Sequence, residues 1–330
     1  MKKHHCISFL IYFIFSFSIF SQTKAIFDTD FGGDVDDLGA LVMLHNFVAK
    51  KECELLGIMS WSTEQYAVSA IDAVNRFYKH PNIPVGTRKD STKHQKWCYS
   101  KSIADKFPHT LNHETAKDAT LLYRQLLAKS KDSSIIIITV GPLKNIENLI
   151  NSKGDSISKL TGKALIEKKI KEFVIMGGKY PEGKWEWNFF GDMPGVTQSV
   201  IENLKCVPIT FIGFELGLPI KTGEVFNTID QNTPLYVGAF HFSNNAPWMK
   251  EFYTGKVIDN ATFDQTAVLY ALRNGVNNYW ERIDNGRCVP DAIGGNIWQK
   301  GKSSKHSYLK LLLSPEKMAT LIESMMLNTF

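Results

Sequence analysis

Five carboxylates crowd into ten residues, Asp28-Thr29-Asp30-Phe31-Gly32-Gly33-Asp34-Val35-Asp36-Asp37. Like charges this close repel strongly, so the stretch is tolerable only where a cation offsets them or where some groups turn away into hydrogen bonds. Ligands that are all oxygen, with no neighbouring His or Cys, suit a hard cation, Ca²⁺ or Mg²⁺, rather than zinc. Gly32 and Gly33 permit the tight turn that would wrap the loop around an ion. A plainer use is a solvated turn in which Asp36 or Asp37 caps the following helix, but a cap needs one aspartate. An EF-hand is a poor match, because no glutamate closes the loop.

Such a loop needs a strand to deliver it and a helix to close it. Residues 25–29 read as that strand, and 38–48, with apolar side chains at three- and four-residue steps, as that helix. The alternation then repeats. A strand at 55–59 precedes a helix at 67–78, and a helix at 116–127 leads into a strand at 134–140. Its core, Ile135 to Ile138, is apolar on both faces, as a strand covered by helices on both sides must be. A helix at 143–150, a strand at 172–176, a helix at 196–204 and a strand at 208–213 follow. Repeated strand-helix units predict an α/β fold, a mostly parallel central sheet flanked by helices. In such sheets ligands bind at the carboxyl ends of the strands, where the aspartate loop, Val140-Gly141 and the segment 177–188 all fall. After about residue 220 the pattern loosens, and only helices at 264–272 and 315–326 stand out. With no repeat, low-complexity linker or clear boundary, the chain reads as one domain.

At 330 residues, 44% hydrophobic and 22% charged, the composition is that of ordinary globular material. Lys2 and Lys3 precede an apolar run, 7–20, and the small polar pair Ser21-Gln22, the layout of a secretory signal peptide spanning 1–22. The run is shorter than the roughly 20 residues of a spanning helix. Cleavage would leave a catalytic domain of 23–330 in the periplasm or outside the cell, with no membrane attachment. The formal charge of +5 includes those two lysines, and what remains is too weak and diffuse to argue for nucleic acid as a partner. Cleavage would also remove Cys6. Cys53, Cys98, Cys206 and Cys288 lack metal-binding spacing and read as thiols with at most one disulfide.

Three further segments join the aspartate loop in a recognisable order. They are Thr139-Val140-Gly141-Pro142-Leu143-Lys144-Asn145, then Val174-Ile175-Met176-Gly177-Gly178 followed by Glu186-Trp187-Asn188, and finally Asp264 opening Gln265-Thr266-Ala267-Val268. Four in order make a specific pattern. They resemble the signatures of the inosine-uridine preferring nucleoside hydrolases and their bacterial relatives, with the Asp-x-Asp-x-Gly-x-Asp-Asp motif lengthened by two residues. The resemblance implies a nucleoside hydrolase-like, Rossmann-like fold and calcium-dependent hydrolysis of the N-glycosidic bond of a nucleoside or related riboside, in purine or pyrimidine salvage. It assigns Ca²⁺ to Asp30, Asp37, the Val140 carbonyl and Asp264, with a water and two ribose hydroxyls completing the shell, and makes Asp36 the general base. Glu186 and Asn188 would orient the sugar, with Asp28 and Met176 beside them as substrate contacts. Family members are commonly dimeric or tetrameric, which implies a homo-oligomer.

The chemistry is coherent without the resemblance. An oxocarbenium-like transition state needs an activated water and carboxylates that stabilise positive charge. Two departures touch the substrate: Thr63-Glu64 stands where the family has Gly-Asn, and Phe263 where pyrimidine-cleaving members have His. Glu64 and Trp61 are therefore candidate substrate contacts, with Lys179 as a further polar group. Trp97, Trp185 and Trp187 could stack on a base, and His94 and His241 could supply a proton. A non-catalytic calcium-dependent sugar-binding or nucleoside-binding protein is the alternative. A phosphatase of the haloacid dehalogenase type, with Asp28 as nucleophile and Asp30 as acid, leaves Asp34 to Asp37 without a purpose.

Overall fold

In the computed structural model, which describes residues 22–90, 97–273, 278–301 and 305–330, the apolar runs become the middle of a nine-stranded sheet. Its strands are Thr23–Thr29 (β1), Cys53–Ser60 (β2), Val85–Thr87 (β3), Lys117–Asp118 (β4), Ile135–Thr139 (β5), Ile170–Met176 (β6), Ile209–Ile212 (β7), Trp280–Ile283 (β8) and His306–Leu311 (β9). The spatial order is β8-β9-β7-β6-β5-β1-β2-β3-β4. Neighbours run parallel except β8, which is antiparallel to β9.

Side chains of a strand alternate between faces. Ile136 and Ile138 accordingly join Ala25 and Phe27 in one core, whereas Ile135 and Ile137 join Ile26 in the other. Helices Asp36–Ala49, Ala67–Phe77, Asp264–Arg273 and Pro315–Met326 contribute to the first core, and Ala119–Lys129, Lys144–Asn151, Gly162–Lys169 and Val196–Asn203 to the second. The two-sided apolarity of β5 is thus a consequence of helices on both faces.

From β1 the chain winds outward through β2, β3 and β4, then returns to the other side of β1 as β5. That reversal separates the loops that follow β1 and β5 and opens a crevice at their carboxyl ends. Asp30 and Val140 sit at its two sides. The helix after β1 begins earlier than the apolar period predicts, at Asp36; Val35 is its N-cap and no side chain caps it. Both Asp36 and Asp37 lie in its first turn, where peptide dipoles favour negative charge. The helix expected from 116 begins instead at Ala119, because 117–118 pair as β4 and the Asp118 carboxylate caps it through Leu121 N–H.

Beyond residue 220 the chain holds a helix, Pro234–Asn245, that the loose pattern did not disclose. A hairpin, Gly286–Pro290 with Asn296–Lys300, is extended by Glu182–Gly183 into a small second sheet. Among the described residues all four cysteines are free thiols, and no helix is long and apolar enough to cross a membrane. The leader and His94 lie outside the described residues.

Candidate active site

Three elements bring acid to one point. The loop after β1 supplies Asp30 and Asp34, the first turn of the next helix supplies Asp36 and Asp37, and the first turn of the helix Asp264–Arg273 supplies Asp264. One carboxylate oxygen from each of Asp36, Asp37 and Asp264 lies within 4.8 Å of the other two. All three side chains are buried. Thr29 Oγ1 donates to Asp37 Oδ1, Asp37 N to Asp36 Oδ1 at 3.2 Å, and Asp264 N to Asp36 Oδ2 at 3.3 Å. Asp34 is held by Asn260 Nδ2 at 2.5 Å and by Val35 N.

Asp30 stands slightly aside. Its Oδ2 accepts the indole N–H of Trp187 at 2.9 Å, yet its charge still raises the pKa of Asp37. Gly141 permits this position, since a Cβ there would come within 2.8 Å of the Asp30 amide nitrogen. The glycine of the second signature is therefore a close-approach residue between the ends of β1 and β5. The Val140 carbonyl accepts from Asn188 Nδ2 at 3.0 Å; the same amide nitrogen lies 3.2 Å from the Met176 carbonyl and 3.0 Å from its sulfur. Glu186 caps the short helix Trp187–Phe190, accepting from the backbone N–H of Gly178, Asn188 and Phe189 at 2.9 to 3.0 Å.

These groups floor a cavity of about 540 Å³ that is lined also by Met176, Trp97, Trp187, Phe214, Trp248 and Phe263. Phe263 stacks on Phe214, ring centres 5.0 Å apart, and Trp248 meets Trp97 edge-on at 6.5 Å. No lysine, arginine or histidine lines the cavity among the described residues. Burial pushes Asp30 and Asp34 up to about 6 and Glu186 up to about 7, the last despite three N–H donors. Asp36, Asp37 and Asp264 are raised well above the ordinary carboxylate range, first by burial and then by neighbouring charge: Asp34 and Asp30 act on Asp36, Asp30 and Asp36 on Asp37, and Asp36 and Asp37 on Asp264. A buried, all-oxygen donor set with its negative charge unbalanced fits a hard metal ion, and the chemistry of the donors disfavours zinc.

The structure places Asp30, Asp36, Asp37, Val140, Asp264, Glu186, Asn188 and Met176, the residues that the resemblance assigns to the cation, the base and the substrate, on one cavity. It moves three expected substrate contacts away. Asp28 lies behind the cavity, fully buried, with its oxygens taken by Tyr123 Oη at 2.7 Å and Asn145 Nδ2 at 3.0 Å, and burial raises its pKa to about 7. That carboxylate braces β1 against its neighbours, and the phosphatase reading loses its nucleophile. Glu64 accepts from Tyr66 N and Ser100 Oγ and supports the turn at Gly32 rather than the cavity. Trp61 does not line the cavity; it packs edge-on behind Trp187, with Arg88 over its ring. Trp185 and Lys179 lie outside the lining, and His241 stacks against Trp97. Phe214, Pro247 and Trp248 also line the cavity, and no motif or spacing in the sequence ties them to the aspartates.

A family model for inosine-uridine preferring nucleoside hydrolases matches residues 25–308. No curated protein sequence matches the chain. Among solved structures, the purine-preferring ribonucleoside hydrolase from Gardnerella vaginalis is similar at 17% identity and a TM-score of 0.64, over 93% of this chain and 99% of that one. The inosine-uridine preferring nucleoside hydrolase from Bacillus anthracis gives 14% and 0.63 over 93% and 100%. The type III effector protein XopQ, complexed with adenosine diphosphate ribose, gives 13% and 0.62 over 92% and 93%. At such identities the structures speak for the fold alone, while the sequence match covers the sheet and all four site segments. The chain therefore belongs to the inosine-uridine preferring nucleoside hydrolase family, and its chemistry is hydrolysis of a nucleoside N-glycosidic bond.

Proposed function

We propose that the chain is a calcium-dependent nucleoside ribohydrolase, exported by its leader, in which Asp36, Asp37, Asp264 and the Val140 carbonyl hold the cation and Asp30 is the base. The observation that carries this reading is the gathering of three buried carboxylates on the floor of an aromatic-walled cavity. When bound, the cation supplies positive charge that grips neighbouring sugar hydroxyls and acidifies water.

The resemblance gave Asp30 to the cation and Asp36 to the proton. The grouping favours the exchange: one oxygen of Asp36 lies within 4.8 Å of its counterparts on Asp37 and Asp264, and Asp30 is not a member of that group. Trp187 holds Asp30 Oδ2, leaving Oδ1 as the atom that takes the proton from the attacking water. Glu186 spends three acceptor sites on backbone amides, and a carboxylate has about four, so one remains at Oε1 for a sugar hydroxyl. Asn188 fixes the Val140 carbonyl. The sugar-binding alternative loses one of its two motives, since Glu64 does not intrude on the cavity.

Residues 23–330, incubated with a panel of purine and pyrimidine ribosides with and without chelator, are expected to release base and free ribose only with the cation present. Release of neither from any riboside would defeat the reading. Trp187→Phe keeps the ring and removes the N–H, and should lower kcat about tenfold, as for loss of one hydrogen bond to a charged group. An unchanged kcat with a raised KM would reduce Trp187 to a wall of the cavity.

A further inference from the structure

Resting on the proposed ribohydrolase reading, we infer that the preferred substrates are ribosides whose leaving group is already a cation, such as a pyridinium or a quaternised purine. Three observations point there. First, among the described residues the cavity lining contains six carboxylates, Asp30, Asp34, Asp36, Asp37, Glu186 and Asp264, and no lysine, arginine or histidine. A bound divalent ion offsets only part of that charge, so the cavity favours positive ligands. Second, its walls are ring faces and edges, Trp97, Trp187, Trp248, Phe214 and Phe263, the surroundings that attract a flat cation. Third, among the described residues the lining offers a departing base no histidine, lysine or tyrosine to protonate it: Phe263 and Phe214 stack on each other, and His241 packs against Trp97 outside the lining.

A neutral nucleoside base leaves as an anion unless it gains a proton during the cleavage. A pyridinium needs none. Water forms the new bond to the anomeric carbon, the carbon-nitrogen bond breaks, and its electron pair returns to the ring nitrogen, which departs neutral. The water's proton passes to Asp30 and then to solvent. Charge and atoms balance without a general acid, and the wall that lacks one suits this reaction. The extra carboxylate Asp34, which comes from the lengthened loop and faces the same cavity, adds to the preference.

The test compares kcat/KM for matched pairs with calcium present: inosine against 7-methylinosine, and uridine against the 3-carbamoylpyridinium riboside, each divided by its uncatalysed hydrolysis rate. Preference for the cationic member by at least about tenfold is expected, as one to two cation–ring contacts supply. Equal or better use of the neutral members overturns the inference, as does loss of neutral-nucleoside hydrolysis in His94→Ala, which would reveal an acid. A binding arm needs no turnover. 1-Methylnicotinamide should quench tryptophan fluorescence with at least about tenfold tighter binding than neutral nicotinamide, and Trp248→Leu should erase the difference. If no riboside is cleaved, the ribohydrolase reading fails, and this binding comparison still decides: equal affinities sink the cationic preference, and a retained difference supports it.

Discussion

Asp30→Asn is expected to lower kcat about a thousandfold while changing calcium affinity by less than about tenfold, the signature of a lost general base. Asp36→Asn should do the reverse, weakening calcium by about a hundredfold and regaining part of its activity when the ion is supplied in excess. The contrast follows from geometry. Asp36 has an oxygen within 4.8 Å of its counterparts on Asp37 and Asp264 and is anchored by two backbone amides, so its loss removes a ligand and leaves two carboxylates facing one another. Asp30 is anchored through one oxygen by Trp187 and is close enough to the trio to influence its charge without completing it. Calorimetric titration with Ca²⁺ on both variants, paired with kinetics at saturating ion, separates the roles. Should Asp30→Asn abolish calcium binding and Asp36→Asn leave it intact, the roles return to those implied by the family resemblance.

The sheet was legible because its strands are buried on both faces: the unbroken β-branched run Ile135 to Ile138 is too short for a helix and suits a strand covered on both sides. The carboxyl-end location of the site followed from strand-helix alternation alone. The aspartate loop was legible by its charge, and the other three segments through the family resemblance; the close backbone approach at Gly141 supplies a physical reason for one of them. Asp28 deceived because proximity in sequence does not fix direction: alternation along β1 sends it toward Tyr123 and Asn145 while Asp30, past the strand end, reaches the cavity. Glu64 deceived similarly, a carboxylate at a position that bears on the sugar in relatives, here turned to Ser100. The aromatic wall was legible in part, at Trp97, Trp187 and Phe263; Phe214 and Trp248 were not, because they come from separate segments that no local period links to the aspartates.

Without calcium, stability is expected to fall as pH rises from about 4 to 8, and calcium should reverse the trend. The sign follows from the direction of the shifts. Burial pushes Asp30 and Asp34 up to about 6 and Asp28 and Glu186 up to about 7 in the folded protein, against ordinary values of 3.8 and 4.5, and holds Asp36, Asp37 and Asp264 well above the ordinary value. Over that window these seven carboxyls hold more protons in the folded state than in the unfolded one, so the stabilisation present below pH 4 is lost as the protons leave; His45 and His306, held low by burial, oppose the trend only below about pH 6.5. A cation competes with the same protons, so its binding strengthens as pH rises. At a hundredfold excess over Kd it contributes about 2.7 kcal/mol, a rise in Tm of several degrees at pH 8 and little at pH 5. Asp264→Asn gives the sharper check, because it removes one of three mutually repelling buried charges. It should be more stable than the unsubstituted protein at pH 8 without calcium, and indifferent to added calcium, by thermal unfolding in matched buffers. A variant less stable than its parent in the absence of the ion would mean that Asp264 is held by protein partners rather than kept for a cation, and the trio would then be a structural cluster with no place for a metal at its centre.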